Sequence, residues 1–260
     1  MPQTKTPLEV MAALKLRLDQ LRVHHAKALE GLTHPDDVML TWTSNAIEGN
    51  TLTHGETAML IEKGITVGGK SIAEHLAIQD HYEALQLVRR LAHKKAPLGE
   101  NTIRDLHRIA MLRTRIHDAG DYADVPRRIA GSAVILPPPH KIPALMADFG
   151  NDLAIANGPL DAFEGHYRLV TIHPFIDGNG RTARLLMNLI LLRDGYTPIS
   201  IGNAERNEYI KVIEDRQLNE PLGHDVIDHN SRSAYRDFMT KREIISLKNH
   251  INFVSELKEK

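Results

Sequence analysis

Read as a pattern of apolar and polar positions, the chain is helical over most of its length. From Pro7 onward, Leu8, Met11, Leu14, Leu18 and Leu21 recur at three- and four-residue steps, the spacing of one helix face, and Gly31 stops the run. Residues 35–47 repeat the pattern with Val38, Met39, Trp42 and Ile47; Pro35 suits a first turn and Gly49 a left-handed cap. Residues 71–93 carry Ile72, Leu76, Tyr82, Leu85, Val88 and Leu91, closed by Lys94 and Lys95 where a negative dipole end favours cations. Segments 101–111, 141–156, 159–172 and 203–217 read likewise, and 222–258 reads as two helices divided near Thr240. Leu185–Leu192, broken only by Asn188, is the most apolar run, so apolar on nearly all sides that it predicts a helix buried in the core and ended by Gly195.

Only residues 119–139 break this periodicity. Ala133, Val134, Ile135 and Leu136 form a short β-prone run ended by three prolines, with Arg127-Arg128-Ile129 as its hairpin partner. A lone two-stranded piece leaves unpaired edges that invite another strand. The predicted fold is all-α: about eight or nine helices around a central buried helix, plus one small β-hairpin. We expect one domain over 1–260, with N-terminal helices in 1–95, a core in 96–200 and C-terminal helices in 201–260.

Composition narrows the partners. The net charge of -1 argues against nucleic acid and anionic membrane as partners. The absence of cysteine excludes disulfides, zinc–thiolate sites and cysteine nucleophiles, and fits a reducing cytoplasm. Charges interrupt the apolar pattern at the N-terminus, unlike a signal peptide, and no segment approaches the roughly 18 uncharged apolar residues of a membrane span.

The candidate chemistry lies just before the apolar run, in Thr171–Arg184, TIHPFIDGNGRTAR. It sits at the mouth of the central helix, where free N–H groups and the positive dipole end favour an anion. Gly178 and Gly180 permit φ > 0, so successive N–H groups can form a nest for phosphate oxygens. Asp177 is a hard oxygen ligand suited to a Mg2+ that already carries phosphates. Arg181 and Arg184, three apart, leave neighbouring parts of one face and add phosphate-binding charge. His173 has the side-chain type whose pKa lies nearest neutrality, as a general base requires. A second nucleotide signature is spurious. GITVGGKS (64–71) fits the Walker A pattern, but a charged helix end precedes it and Ser71 and Glu74 make a capping box after it, so Lys70 reads as a solvated loop charge. His166, seven before His173, has no third metal ligand in reach and reads as a packing or hydrogen-bonding residue.

The stretch resembles the Fic signature HxFx(D/E)GNGRxxR at every specified position. The resemblance implies that His173 deprotonates a hydroxyl of a target protein, which attacks the α-phosphate of ATP. AMP is transferred and pyrophosphate leaves. Gly178, Asn179 and Gly180 would hold phosphates, Arg181 and Arg184 would clamp the β/γ end, and Asp177 would bind Mg2+ or Mn2+. Doc-like kinases of the family have lysine where this chain has Gly180, so Gly180 favours nucleotidyl transfer. The 119–139 stretch resembles the family's flap, which registers the target segment by strand addition; Gly131, Ala133, Val134 and Ile135 are the residues so placed. Tyr209 is a candidate to stack on adenine, with a core tyrosine nearly equal in claim. Dimers are common in the family.

Ser44-Asn45-Ala46-Ile47-Glu48-Gly49 resembles the (S/T)xxxE(G/N) inhibitory motif of many Fic proteins. Ser44 and Glu48 are one turn apart, so both can face the nucleotide site. Glu48 would pair with Arg184 and take the group that holds the γ-phosphate. If the pair is buried, breaking it by removing one partner costs about 3–5 kcal/mol, and a lock of that kind could suppress turnover by several orders of magnitude. The expected function is therefore a protein adenylyltransferase acting on Ser, Thr or Tyr hydroxyls and held off by Glu48. The alternatives are a hydrolase that removes AMP using Glu48, and a non-catalytic nucleotide-sensing interaction module.

Overall fold

A computed structural model of the chain describes residues 5–220, 222 and 229–257. Among them are ten α-helices: α1 Pro7–Glu30, α2 Thr33–Ile47, α3 His54–Lys63, α4 Ile72–His93, α5 Glu100–Ala110, α6 Ile142–Ile155, α7 Gly158–Ile172, α8 Asn179–Arg193, α9 Arg206–Asn219 and α10 His229–Leu257. Local signals set most boundaries. Thr6/Glu9, Thr53/Glu56 and Ser71/Glu74 form reciprocal capping boxes that start α1, α3 and α4. Gly64 ends α3 in the left-handed conformation. The apolar run predicted to be central is α8, buried from Arg181 through Leu191. It packs against α7, α4, α5 and α2, which hold its polar N-terminal end in place.

Three apolar clusters hold these elements together. The main one surrounds α8 and includes Leu85, Ile103, Phe149, Phe163, Leu169, Phe175 and Met239. A second joins α1 to α10 through Met11, Leu18, Leu247 and Ile251. A third, of Leu52, Leu60 and Ile78, fastens α3 to α4. No helix among the described residues is long and apolar enough to cross a membrane.

The all-α fold is as expected, with ten described helices beside the expected eight or nine; the ten-residue α3 shows in the pattern only as a helix end. The structure corrects two further expectations. Within 222–258, α10 runs unbroken through Thr240, which is buried beside Phe238 and Met239, so the apolar stripe continues to Leu247 and Ile251. The start of that segment, 223–228, and residue 258 lie outside the described residues. The hairpin is a turn without a ladder. Ser132 N–H donates to Ile129 O at 3.2 Å across Gly131 (φ 77°), but no strand is assigned among the described residues. Prolines 137–139 supply no N–H, and side chains fasten the segment instead: Arg127 donates to Pro137 O at 2.7 Å, and Ser132 to Glu214 at 2.6 Å.

Candidate active site

Two helix ends meet at the site. α7 closes at His173 in the left-handed region (φ 51°, ψ 56°), its N–H still bonded to Leu169 O at 2.9 Å. A non-glycine residue pays for that conformation with about 1 kcal/mol, and here it turns the chain sharply toward the start of α8. The connecting loop is clamped by Asn179, whose side-chain oxygen accepts from Phe175 N and whose amide donates to Phe175 O, both at 2.9 Å. Asn179 therefore faces the site with its backbone alone. Phe175 stacks on His107, with centroids 3.6 Å apart and planes 2° from parallel.

His107 fixes the other side of the loop. Its Nδ1 accepts from Gly120 N–H at 2.9 Å, so Nε2 carries the proton and donates to Asp177 O, also at 2.9 Å. Burial pushes its pKa down to about 4 and keeps the ring neutral. Gly178, at φ 76°, begins α8, and a Cβ there would stand 2.6 Å from Met111 Sδ. The N–H groups of Asn179, Gly180 and Arg181 in the first turn of α8 lie beyond the reach of intrahelical acceptors.

Gly180 differs from its sequence reading. It lies in the first turn of α8 with ordinary helical backbone, not at positive φ. Its missing side chain serves close approach: a Cβ there would lie 2.6 Å from Glu48 Oε1 and 3.1 Å from Arg184 Nη1.

Arg184 is buried, with Nε and Nη2 fully engaged. Its Nε donates to Ser44 Oγ at 2.9 Å, and Nη2 donates to Ser44 O at 2.9 Å and to Glu48 Oε1 at 2.7 Å. Nη1 lies 3.5 Å from Tyr209 Oη. Glu48 is the residue at which α2 ends; Gly49 (φ 94°) follows, and Arg206 caps Ile47 O at 2.8 Å. The pair is only half withdrawn from water: the Arg184 side chain is 6% exposed and that of Glu48 40%. The premise of a fully buried pair is thus corrected, because α2 ends at the lip of the cavity and leaves the carboxylate wet.

Asp177 is half exposed; its Oδ1 accepts from Gly178 N at 2.6 Å and from Arg181 Nη2 at 3.3 Å. His173 Nδ1 lies 3.3 Å from Val170 O, a carbonyl that only accepts, so Nδ1 holds the proton and Nε2 is the free acceptor. Burial lowers the His173 pKa from its ordinary value; the Val170 carbonyl opposes that, and the Arg127 charge adds to it. Arg127 also donates to His173 O at 2.6 Å, joining the 119–139 segment to the histidine.

Glu48, His173, Gly180, Arg184 and Tyr209 line one cavity of about 310 Å³, together with Gly131. Ala133, Val134 and Ile135 line a larger neighbouring cavity of about 620 Å³, and Ile135 is 95% exposed. Tyr209 is 2% exposed; its hydroxyl meets His166 and its ring packs near Phe238, whereas Ile210 beside it on the cavity wall is 37% exposed. His166 is fully buried between two tyrosine hydroxyls, the hydrogen-bonding role read for it. Lys70 is not a free charge: it donates to Thr51 O at 2.7 Å and ties the 64–71 loop to the end of the α2 segment. Among the described residues no cluster of three His, Cys, Asp or Glu side chains could hold a metal by itself.

The contacts of His107, Arg127 and Arg206 with the site escaped the sequence reading, which placed Arg127 only in the hairpin. Each lies outside the signature and acts on its backbone or on that of α2, which no side-chain pattern reveals.

Residues 97–191 match the family model described as Fic/DOC family. The chain is 38% identical over 177 residues to protein adenylyltransferase Fic of Nematostella vectensis, covering 65% of this chain and 41% of that protein. It is 31% identical over 229 residues to protein adenylyltransferase fic-1 of Caenorhabditis briggsae, covering 85% and 45%. The chain thus spans less than half the length of these curated relatives. Among solved structures, a Fic domain containing signaling protein from Bacteroides thetaiotaomicron superposes with a TM-score of 0.86 at 27% identity, covering 95% of this chain and 97% of that one. A fragment of Fic-1 from Caenorhabditis elegans gives 0.79 at 27% identity, covering 95% and 71%. A signature whose histidine, turn and arginines meet at one helix mouth, on this architecture and with these relatives, places the chain among the proteins that carry a Fic/DOC family domain.

Proposed function

We propose that this chain is a protein adenylyltransferase that moves AMP from ATP to a serine, threonine or tyrosine hydroxyl of a target protein, and that Glu48 holds it off. The observation that carries this reading is the convergence of His173, the open first turn of α8 and Arg184 on one cavity. The target oxygen attacks the α-phosphorus, its proton passes to His173 Nε2, and the bond to the bridging oxygen breaks so that pyrophosphate leaves. Val170 O fixes the tautomer that leaves Nε2 free, and burial keeps the ring neutral. The N–H groups at the start of α8 face the charge that grows on the phosphate, while Arg181 and Arg184 hold the β/γ end.

Asp177 suits a divalent cation bound together with phosphates. It is a half-exposed hard donor whose Oδ1 is engaged and whose Oδ2 has no hydrogen bond among the described residues. One protein carboxylate matches the habit of Mg2+, which draws its other ligands from phosphates and water. When bound there, Mg2+ or Mn2+ would neutralise phosphate charge.

Glu48 restrains the site by occupying Arg184 Nη2. With the carboxylate 40% exposed, the pair falls between surface and buried cases, about 1–3 kcal/mol. That corresponds to roughly ten- to hundredfold suppression. A second reading, AMP removal with Glu48 positioning water, has one observation in its favour: Glu48 lines the same cavity as His173 with its Oε2 free of hydrogen bonds among the described residues.

Incubation of wild type, Glu48→Gly and Glu48→Gly/His173→Ala with α-labelled ATP, Mg2+ and a native lysate tests both. Label on protein is expected from Glu48→Gly and not from the double variant. No label from any form, with loss of label from a pre-modified target only when Glu48 is present, would favour the reverse reaction.

A further inference from the structure

Arg184 is held from two sides, and only one belongs to the segment that carries Glu48. Ser44 lies in the last turn of α2 and Glu48 caps its end, so any movement of that segment loosens both contacts. The other side is a chain of buried polar groups from three helices: Tyr209 of α9, His166 of α7 and Tyr235 of α10. Their exposures are 2%, 0% and 1%. Polar groups this deep cost stability unless paired, and apolar side chains would fill the same space more cheaply, so packing alone does not account for them.

The proton order along the chain follows from its far end. Tyr235 Oη has one hydrogen and gives it to Phe163 O at 2.8 Å. It can therefore only accept from His166 Nδ1–H, at 2.9 Å. That leaves His166 Nε2 as an acceptor, and Tyr209 O–H donates to it at 2.7 Å. With its hydrogen so committed, Tyr209 turns a lone pair toward Arg184 Nη1, at 3.5 Å the longest of the arginine's contacts. A protonated His166 would donate from Nε2 as well, so Tyr209 could no longer give its hydrogen to the ring. Burial, with the Arg184 charge adding to it, holds the His166 pKa down at about 3.

We propose that Tyr209, His166 and Tyr235 form a positioning relay that keeps the Arg184 guanidinium oriented for the terminal phosphates of a nucleotide when Glu48 gives way. The inference rests on the reading of Arg184 as the β/γ clamp. It separates the two sides of the arginine: the α2 side restrains it, and the relay side holds it ready. Tyr209 thus acts through its hydroxyl on the phosphate end of the cavity, apart from any contact of its ring with a base.

The experiment uses the full chain carrying Glu48→Gly and measures ATP and AMP binding by calorimetry, with melting temperature alongside. Adding Tyr209→Phe, which removes only the hydroxyl, is expected to weaken ATP binding about tenfold while AMP, which lacks the β and γ phosphates, stays within about twofold. Tyr235→Phe, a residue outside the cavity lining, is expected to give the same selective loss at smaller size. Equal loss of ATP and AMP, or a lowered melting temperature with the ATP-to-AMP ratio unchanged, would overturn the relay and leave these groups a structural role. If Glu48→Gly alone binds no ATP, the nucleotide reading of the site fails and the relay with it. If it binds ATP and Tyr209→Phe changes nothing, only the relay fails.

Discussion

The Glu48 carboxylate rests against the bare α-carbon of Gly180: a methyl group there would stand 2.6 Å from Glu48 Oε1. Gly180 of the proposed phosphate site and the carboxylate proposed to silence it are therefore fitted to each other. Gly180→Ala is expected to push the flexible Glu48 side chain off Arg184, since Glu48 Oε1 at 2.6 Å is crowded more than Arg184 Nη1 at 3.1 Å and is the far end of a side chain. The backbone N–H survives, and alanine favours the helix by up to about 1 kcal/mol. Label incorporation should rise above wild type with no loss of melting temperature. Activity equal to wild type would mean that this contact does not restrain the carboxylate.

Removing Glu48 and removing His173 should act in opposite directions and in a fixed order. Glu48→Gly is expected to raise the initial rate about ten- to hundredfold. His173→Ala in that background should lower it by about 10²–10⁴. Initial rates at saturating ATP distinguish the two, and equal activity of Glu48→Gly and Glu48→Gly/His173→Ala would remove His173 as the base.

The pH profile of Glu48→Gly should be flat through neutrality. As the proposed base His173 would act as the neutral ring, and burial lowers its pKa below the ordinary value of 6.5, so the rate is expected to decline only as pH falls below that value. A decline that begins above pH 7 would contradict a buried neutral base.

Stability has its own pH dependence through His107. Its folded pKa of about 4 lies below the unfolded value near 6.5, so between them the unfolded chain binds more protons. The contribution is complete above the upper value and is lost as pH falls toward the lower, amounting to at most about 3 kcal/mol. Melting temperatures from pH 7 to pH 4 should fall, and the slope should shrink in His107→Asn. An unchanged slope would place the acid sensitivity in other groups.

Arg127 joins the flap-like segment to His173 through two carbonyls. Arg127→Ala, in the Glu48→Gly background, should lower kcat by about tenfold or more, since two charge-assisted hydrogen bonds are lost at a strained backbone. Affinity for AMP measured by calorimetry should stay within about twofold. A change confined to AMP affinity would assign Arg127 to nucleotide binding instead.

Because period and capping are local, the amino-acid sequence alone reveals the helical order, the central apolar helix and the polar stretch at its mouth. Ser71 and Glu74 lie three apart and meet wherever that helix forms; Leu185–Leu192 can only be buried. It also brought Glu48 and Arg184 into one hypothesis, through motifs at both ends. Tertiary packing settled what constrains Gly180, a carboxylate 132 positions away in the chain and not its own backbone. It decided as well that Glu48 stays partly wet, that the β-prone run forms no ladder, and that His107, Arg127 and Arg206 hold the site from outside the signature. Those outcomes depend on which helix ends converge, and packing between distant segments settles that where local periodicity cannot.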